Sequence, residues 1–340
     1  MVRSIGTSRV FLAYSLLLVG LGTLYFIASD VSNYSANSFF AIAITIDFTL
    51  FLPLVYLLLI RKSNIPNVTV VPVFVLCLAV AFYSIPAQFQ GAIQWVELWV
   101  LPIVELSVLS FVGFKFYQIR KAFKGTVGNQ KLDAYDAMVL ACEKAFPGIA
   151  GKLLASELSM LYYGFLTWKK PVYQSNEFSI HKKSGVLVIL AFIIGLVIVE
   201  TGVIHLLVQN WNSTVAWILT ILSIYSGMQV FGFLKSIPRR PIKFSESSLY
   251  LRFGIMSSVE IPYSMIEAAE LNKKELSEET DIVELSPLGI LGGGHNILIR
   301  STNPLHLQKL FGMKKAFSEI VFFVDEPERF LEDLDTRKSS

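Results

Sequence analysis

Twenty-five residues, Ser184 to Val208 (SGVLVILAFIIGLVIVETGVIHLLV), constrain this chain more than any others. They stay apolar or small up to Val199 and are broken only by Glu200 and His205. At about 1.5 Å per residue such a helix is roughly 37 Å long, enough to cross about 30 Å of hydrocarbon with some tilt. The stretch reads as a membrane span. Composition agrees: of 340 residues 54% are hydrophobic and only 16% charged, and the mean hydropathy is +0.57. A soluble chain of this size carries nearer a quarter charged residues, so the apolar surplus is expected to face lipid.

Five further apolar runs have spanning length: Val10 to Ala28, Phe39 to Ile60, Val68 to Ile85, Ile93 to Phe114 and Val215 to Leu234. The expected fold class is therefore a membrane α-helical bundle of six transmembrane helices with a small cytoplasmic β-rich domain. Basic residues divide unevenly between the loops. Arg3, Arg9, Arg61, Lys62, Lys115, Arg120, Lys121, Lys124, Lys235, Arg239 and Arg240 fall on one side. The opposite loops, Ser29 to Ser38, Gln88 to Ala92 and Gln209 to Thr214, hold no Lys or Arg. Because Lys and Arg are retained in the cytoplasm, both termini are expected there. Trp95, Trp99 and Trp211 then sit near the outer ends of their spans, as indoles do. The basic N-terminus leads straight into a span without a small-residue cleavage site, so the first span is expected to be retained. Two cysteines, Cys77 and Cys142, imply no disulfide framework.

The segment 115–183 carries a helical pattern. Asp133 and Asp136 open DAYDAMVLACEKAF, complementing the dipole of a first turn, and Pro147-Gly148 closes it. From Ile149 to about Trp168, Leu154, Leu158, Leu161, Tyr162 and Phe165 form an amphipathic stripe that either packs on other cytoplasmic parts or lies among headgroups. Flanking lysines favour the headgroups. After Pro241 the pattern turns to short β-rich runs: 248–254, 258–262, 266–272, 281–285, 295–301, 305–310 and 319–324. These predict one small antiparallel domain. Asp325-Glu326-Pro327-Glu328 predicts an N-capped closing helix from Pro327 to Leu334. Gly292-Gly293-Gly294 precedes a strand and reads as a turn, while the mixed charges of KKELSEETD argue against a nucleic-acid face.

Strands followed by one C-terminal helix resemble a pleckstrin-homology-like module over roughly the last hundred residues, on order and pattern alone. Five phrases extend the resemblance: ELSMLYYGFLTWKK, EFSIHKKSG, ETGVIHLL, ILTILSIYS and HNILIRSTNPLHLQKLFGMKK. Through them the chain resembles a family of bacterial six-span membrane proteins with a pleckstrin-homology-like C-terminal domain, which implies residence in the plasma membrane. Members often carry a carotene-monooxygenase label, but the family brings no residue roles. That chemistry is expected to hold iron with several histidines, and of the four here only His205 lies in a span.

Ionisable residues within spans are the first candidate site: Asp47, Glu97, Glu105, Glu200 and His205. A charge near the bilayer centre costs at least about 2.5–3.5 kcal/mol on insertion scales, so each is expected to face a partner. Three readings compete. Glu105, Glu200 and His205 could hold a divalent metal for hydrolysis of a lipid or isoprenoid. The group could pass protons or cations. Or each could pair with Tyr14, Ser84, Tyr225 or Gln229 to fix helix packing. Pro53 and Pro102 beside them each free a backbone carbonyl. A second candidate is a headgroup site of Glu157, Tyr162, His181, Lys182 and Lys183, against the simpler reading of a basic anchor at the mouth of the fifth span. No cofactor is implied. The expected partners are the bilayer and either anionic headgroups or a cytoplasmic protein. The sequence points to a membrane binding or regulatory component whose cytoplasmic module reads lipid or protein while the bundle senses or passes a small solute; an intramembrane metal-dependent hydrolase is the alternative.

Overall fold

The structure is a computed structural model describing residues 2–32, 34, 39–61, 63, 65–129, 132–272, 282–286 and 294–338, with 2–9 and 127–129 by backbone alone. Lys62, residues 33 and 35–38 of the first loop, KKELSEETD, Gly292 and Gly293 lie outside the described residues. Among the described residues six helices are long and apolar enough to cross a membrane: Val10–Ser29, Phe40–Ile60, Asn67–Ser84, Gly91–Thr126, Val186–Gln209 and Ser213–Arg239. Each contains most of a run read from the sequence. The chain divides into two compact units, Met1–Phe114 and Lys115–Ser340.

In the first unit, α1 (Val2–Ser29) packs on α2 (Phe40–Ile60) and α3 (Val70–Ser84). Ala13, Leu17 and Leu21 meet Phe48, Leu52 and Tyr56 in a buried cluster completed by Cys77 and Ala81. Pro53 and Pro102 are each accommodated within their own helices. A π turn, Asp47–Phe51, precedes Pro53, and a second, Val96–Val100, precedes Pro102 in α4, which runs over 91–129. There the Leu52 and Leu101 N–H groups reach back five residues, to the carbonyls of Asp47 and Val96. Widening the helix in this way makes room for a residue that lacks the ordinary donor.

The second unit holds the helical pair α5 (Ala134–Ala145) and α6 (Ile149–Leu161), the last two spans α7 (Val186–Gln209) and α8 (Ser213–Ser236), the sheet, and the closing helix α9 (Pro327–Lys338). Asp133 caps α5, accepting from the N–H groups of Tyr135 and Asp136. The α6 helix ends in a π turn, Tyr162–Leu166. It buries small residues, Gly151, Ala155, Ser156 and Ser159, and packs against both α5 and α8. Gly232 of α8 makes that approach possible: a Cβ there would stand 2.2 Å from the Met160 carbonyl oxygen.

The sheet differs from the antiparallel expectation in two respects. It is mixed, because β6 (Ile282–Glu284) runs parallel to β8 (Lys314–Phe322). It also begins ahead of the fifth span: β1 (Glu177–Phe178) pairs with β2 (Ile242–Phe244), which continues into the meander of β3 (Ser248–Phe253) and β4 (Ser257–Pro262). One long strand, β7 (Ile297–Lys309), joins the halves. It pairs with β5 (Ile266–Leu271) near one end, with β4 at the other, and with β8 across an irregularity between Arg300 and Leu305. Phe330 and Leu334 of α9 are fully buried, and Phe330 meets the rings of Phe178, Phe244 and Phe322 at 5.1–5.5 Å between centroids. Asp325 does not cap α9. Its buried carboxylate instead accepts from the backbone N–H groups of Lys182 and Lys183, at 3.1 and 2.7 Å.

Candidate functional site

The ionisable residues of the long apolar helices do not converge on the expected partners. Asp47 is half-buried at the head of its π turn, and Glu97 and Glu105 are exposed on α4. In the second unit Glu200 is exposed, while the His205 Nδ1 lies 2.8 Å from the Thr220 hydroxyl and its ring stands edge-on to Trp217. Among the described residues there is no group of three His, Cys, Asp or Glu placed to hold a metal ion. Tyr225 and Gln229 do bind a carboxylate, but it belongs to Glu157 of α6: Tyr225 donates its hydroxyl and the Gln229 amide spans both oxygens at 2.9 and 3.1 Å. Tyr14 pairs its ring with Tyr56, and the Ser84 hydroxyl returns to the Ala81 carbonyl.

The second candidate set is likewise divided. Glu157 is engaged with α8, and Tyr162 is packed edge-on between Phe123 and Tyr163. His181 lies beside Tyr173 and the Asp325 turn, and burial, reinforced by Lys182, lowers its pKa despite the opposing pull of Asp325. The imidazole is thus neutral at neutral pH, and Lys182 extends over the Tyr173 ring. Asp325 organises this turn. Asp325→Ala should cost about 1 kcal/mol by removing two part-buried backbone hydrogen bonds, read by thermal unfolding of the full chain in mild detergent.

The densest charge cluster in the unit lies elsewhere, where α5 meets the sheet. Arg240, just past α8, has a fully buried side chain. Its Nε donates to Asp133 at 2.8 Å, one terminal nitrogen to Asp136 at 3.2 Å, the other to the Gly254 carbonyl, and its plane stacks 4.6 Å from the Tyr135 ring. Arg252 from β3 closes the group, 3.2 Å from Asp133 and 3.4 Å from Asp136. Burial alone would raise the Asp133 carboxyl, but Arg240 and Arg252 and the Asp136 N–H overcome it and bring it to about 2. Asp136 goes the other way: burial and the neighbouring Asp133 charge raise its pKa against the pull of the two arginines.

Acid should therefore act on the cluster in order. Asp136 takes a proton first, with no loss of stability, because its folded-state pKa lies above its unfolded value. The stabilisation from Asp133 is present in full above its unfolded value of 3.8 and is lost only as pH falls towards about 2. Carboxyl titration by NMR in detergent, with Asp133→Asn as the reference, should show this order.

Beside the cluster a cleft of about 420 Å³ opens between α5, the start of α6 and the face of β3 and β4. Val139, Leu140, Ile255 and Val259 supply its apolar wall, and Lys152, Lys309 and Lys314 its basic rim. Its three carboxylates are engaged: Asp136 with the arginines, Glu260 with the hydroxyls of Ser248 and Tyr250 at 2.7 and 2.8 Å, and Glu143 with Lys152 at 3.7 Å.

No family model, curated protein or solved structure matches the chain. Sequence reading missed both the cluster and the cleft. Asp133 and Asp136 were legible as dipole-complementing acids and Arg240 as a basic flank, but nothing local joins positions 107 residues apart.

Proposed function

We propose that the protein is an integral component of a bacterial plasma membrane, with both termini cytoplasmic, that binds or regulates rather than catalyses. Its pleckstrin-homology-like module reads lipid or a protein partner, and the helical bundle senses or passes a small solute. The six apolar helices, the one-sided distribution of basic loops and the sheet closed by a single C-terminal helix support this reading.

The observation that carries it is the buried Arg240 cluster. Arg240 follows the last span directly and binds the head of α5, while α6 is held against that same span at Gly232 and through Glu157. A ligand touching the α5–α6 pair thus acts on groups rigidly tied to α8. For the hydrolase alternative, no group of three His, Cys, Asp or Glu among the described residues is placed to hold a metal ion.

Hydrogen exchange of the full chain in nanodiscs tests the proposal. Anionic phosphatidylglycerol, compared with neutral phosphatidylcholine, should slow exchange together in α5–α6 and in the last turns of α8. Arg240→Met should shrink the change in α8 more than the change in α6, which stays seated on α8 through Gly232 and Glu157. Identical exchange in both lipids moves the reading to a protein partner, sought by cross-linking in native membranes; failure there as well overturns it.

A further inference from the structure

The cleft beside the Arg240 cluster combines three properties that together specify a ligand. The first is size. About 420 Å³ lies within the range of roughly 300–1,000 Å³ used for small molecules, and is many times the roughly 30 Å³ share of a water. A bare oxyanion would leave most of it unfilled.

The second is the balance of charge at the rim. Asp136, Glu143 and Glu260 are each engaged with donors. Lys309 and Lys314 line the mouth, and among the described residues neither has a carboxylate within ion-pair distance. Lys314 is in register with Gln308 and Ser258 on the cleft's face of the sheet, and Lys309 borders the mouth one position along, so an anion there meets positive charge that no carboxylate of the described residues offsets. The position of both lysines is fixed by the turn between β7 and β8. At Gly312, φ is +76° and a Cβ would stand 2.1 Å from the Lys152 side chain, so the turn sits directly on α6. The Lys309 N–H donates to the Met313 carbonyl at 2.8 Å and closes it.

The third is the apolar wall. Val139 and Leu140 from α5 line one side and Ile255 of the β3–β4 turn and Val259 of β4 another, next to the half-buried Tyr250 ring. An apolar body between these side chains would be removed from water at about 25 cal/mol per Å² of buried surface.

The geometry points to a binding site for an anionic amphiphile: a small molecule with one phosphate or carboxylate at Lys314, with Lys309 at the same mouth, and an apolar body along Val139, Leu140 and Val259. This deepens the ligand-reading role proposed above and rests on it for its consequence, though not for its chemistry. Entry from the bilayer side is short. Lys152 lies five residues before Glu157, about 7.5 Å along α6, and Glu157 already touches Tyr225 of the last span.

The test uses the full chain in phosphatidylcholine nanodiscs and hydrogen exchange over 308–314 and 135–143. Octyl phosphate and octanoate distinguish the two head groups, octanol supplies the chain without charge, and inorganic phosphate supplies charge without the chain. Octyl phosphate or octanoate should slow exchange in both segments, and octanol and inorganic phosphate should not. Lys309→Gln with Lys314→Gln should weaken the effect roughly tenfold or more, while Lys182→Gln with Lys183→Gln should leave it unchanged. Protection by octanol equal to that by octyl phosphate overturns the site, as does inorganic phosphate acting alone, or a double variant that binds as the parent does. A cleft that fills without any change in α8 sinks the coupling and leaves the site standing. Anionic-lipid effects elsewhere in the module, with a silent cleft, sink the site and leave the regulatory reading standing.

Discussion

Arg240→Met should be among the most damaging single substitutions in the second unit, costing about 3 kcal/mol, because it leaves two buried acids, Asp133 and Asp136, to share Arg252 alone and the Gly254 carbonyl without its donor. The loss should not be additive. Adding Asp133→Asn to Arg240→Met removes the stranded charge, so the pair should be less destabilised than the sum of the two single changes. Denaturant titration of the full chain in mild detergent, run as a double-mutant cycle, measures the difference. Arg240→Lys should recover little, since an ammonium cannot reach Asp133, Asp136 and the Gly254 carbonyl in the plane that stacks on Tyr135. A cost below about 1 kcal/mol for Arg240→Met would mean that the cluster is not what holds α5 to the sheet.

Gly232→Val should separate α6 from the last span, at a cost of about 3 kcal/mol, since its Cβ alone would sit 2.2 Å from the Met160 carbonyl oxygen and 2.7 Å from the carbonyl carbon. The obstruction is backbone, which cannot rotate aside as a side chain would. Exchange over 157–166 should accelerate as Glu157 loses Tyr225 and Gln229. Gly227 on the same helix is the control. A Cβ there meets only Val197 at 3.7 Å, ordinary contact distance, so Gly227→Ala should leave that exchange unchanged. Equal responses at the two glycines would show that α6 is not seated on α8 through Gly232.

The six spans were legible because hydropathy is a local signal: every side chain of a run contributes to it wherever the run packs. The same signal misplaced an end. The fourth apolar run stops at Phe114, yet α4 continues to Asn129, because hydropathy reports what a helix faces and not how far it extends. The strand β7 read as two pieces because Asn303-Pro304 interrupts it, and the structure absorbs that dipeptide at the irregularity between Arg300 and Leu305. The parallel pairing of β6 left no trace, since alternation along a strand is the same whichever way its neighbour runs. At the site, sequence identified the residue types but not their neighbours. Glu157 was flagged for a headgroup and Tyr225 for a carboxylate, and the structure joins them to each other.

The two residues of β1 have a consequence for how the protein is made. Glu177 and Phe178 precede the fifth span, and their partners Lys243 and Ile242 follow the sixth. The sheet therefore brackets a hairpin of two helices long and apolar enough to cross a membrane. In the membrane arrangement proposed above, its first strand must wait, unpaired, until both helices have been synthesised and inserted and the chain has returned to the same side. Sheet assembly can then act as a checkpoint on insertion: a sixth helix left in the wrong orientation puts β2 across the membrane from β1, with the Phe178 ring uncovered. A tail expressed from residue 241 alone would lack that strand from the start.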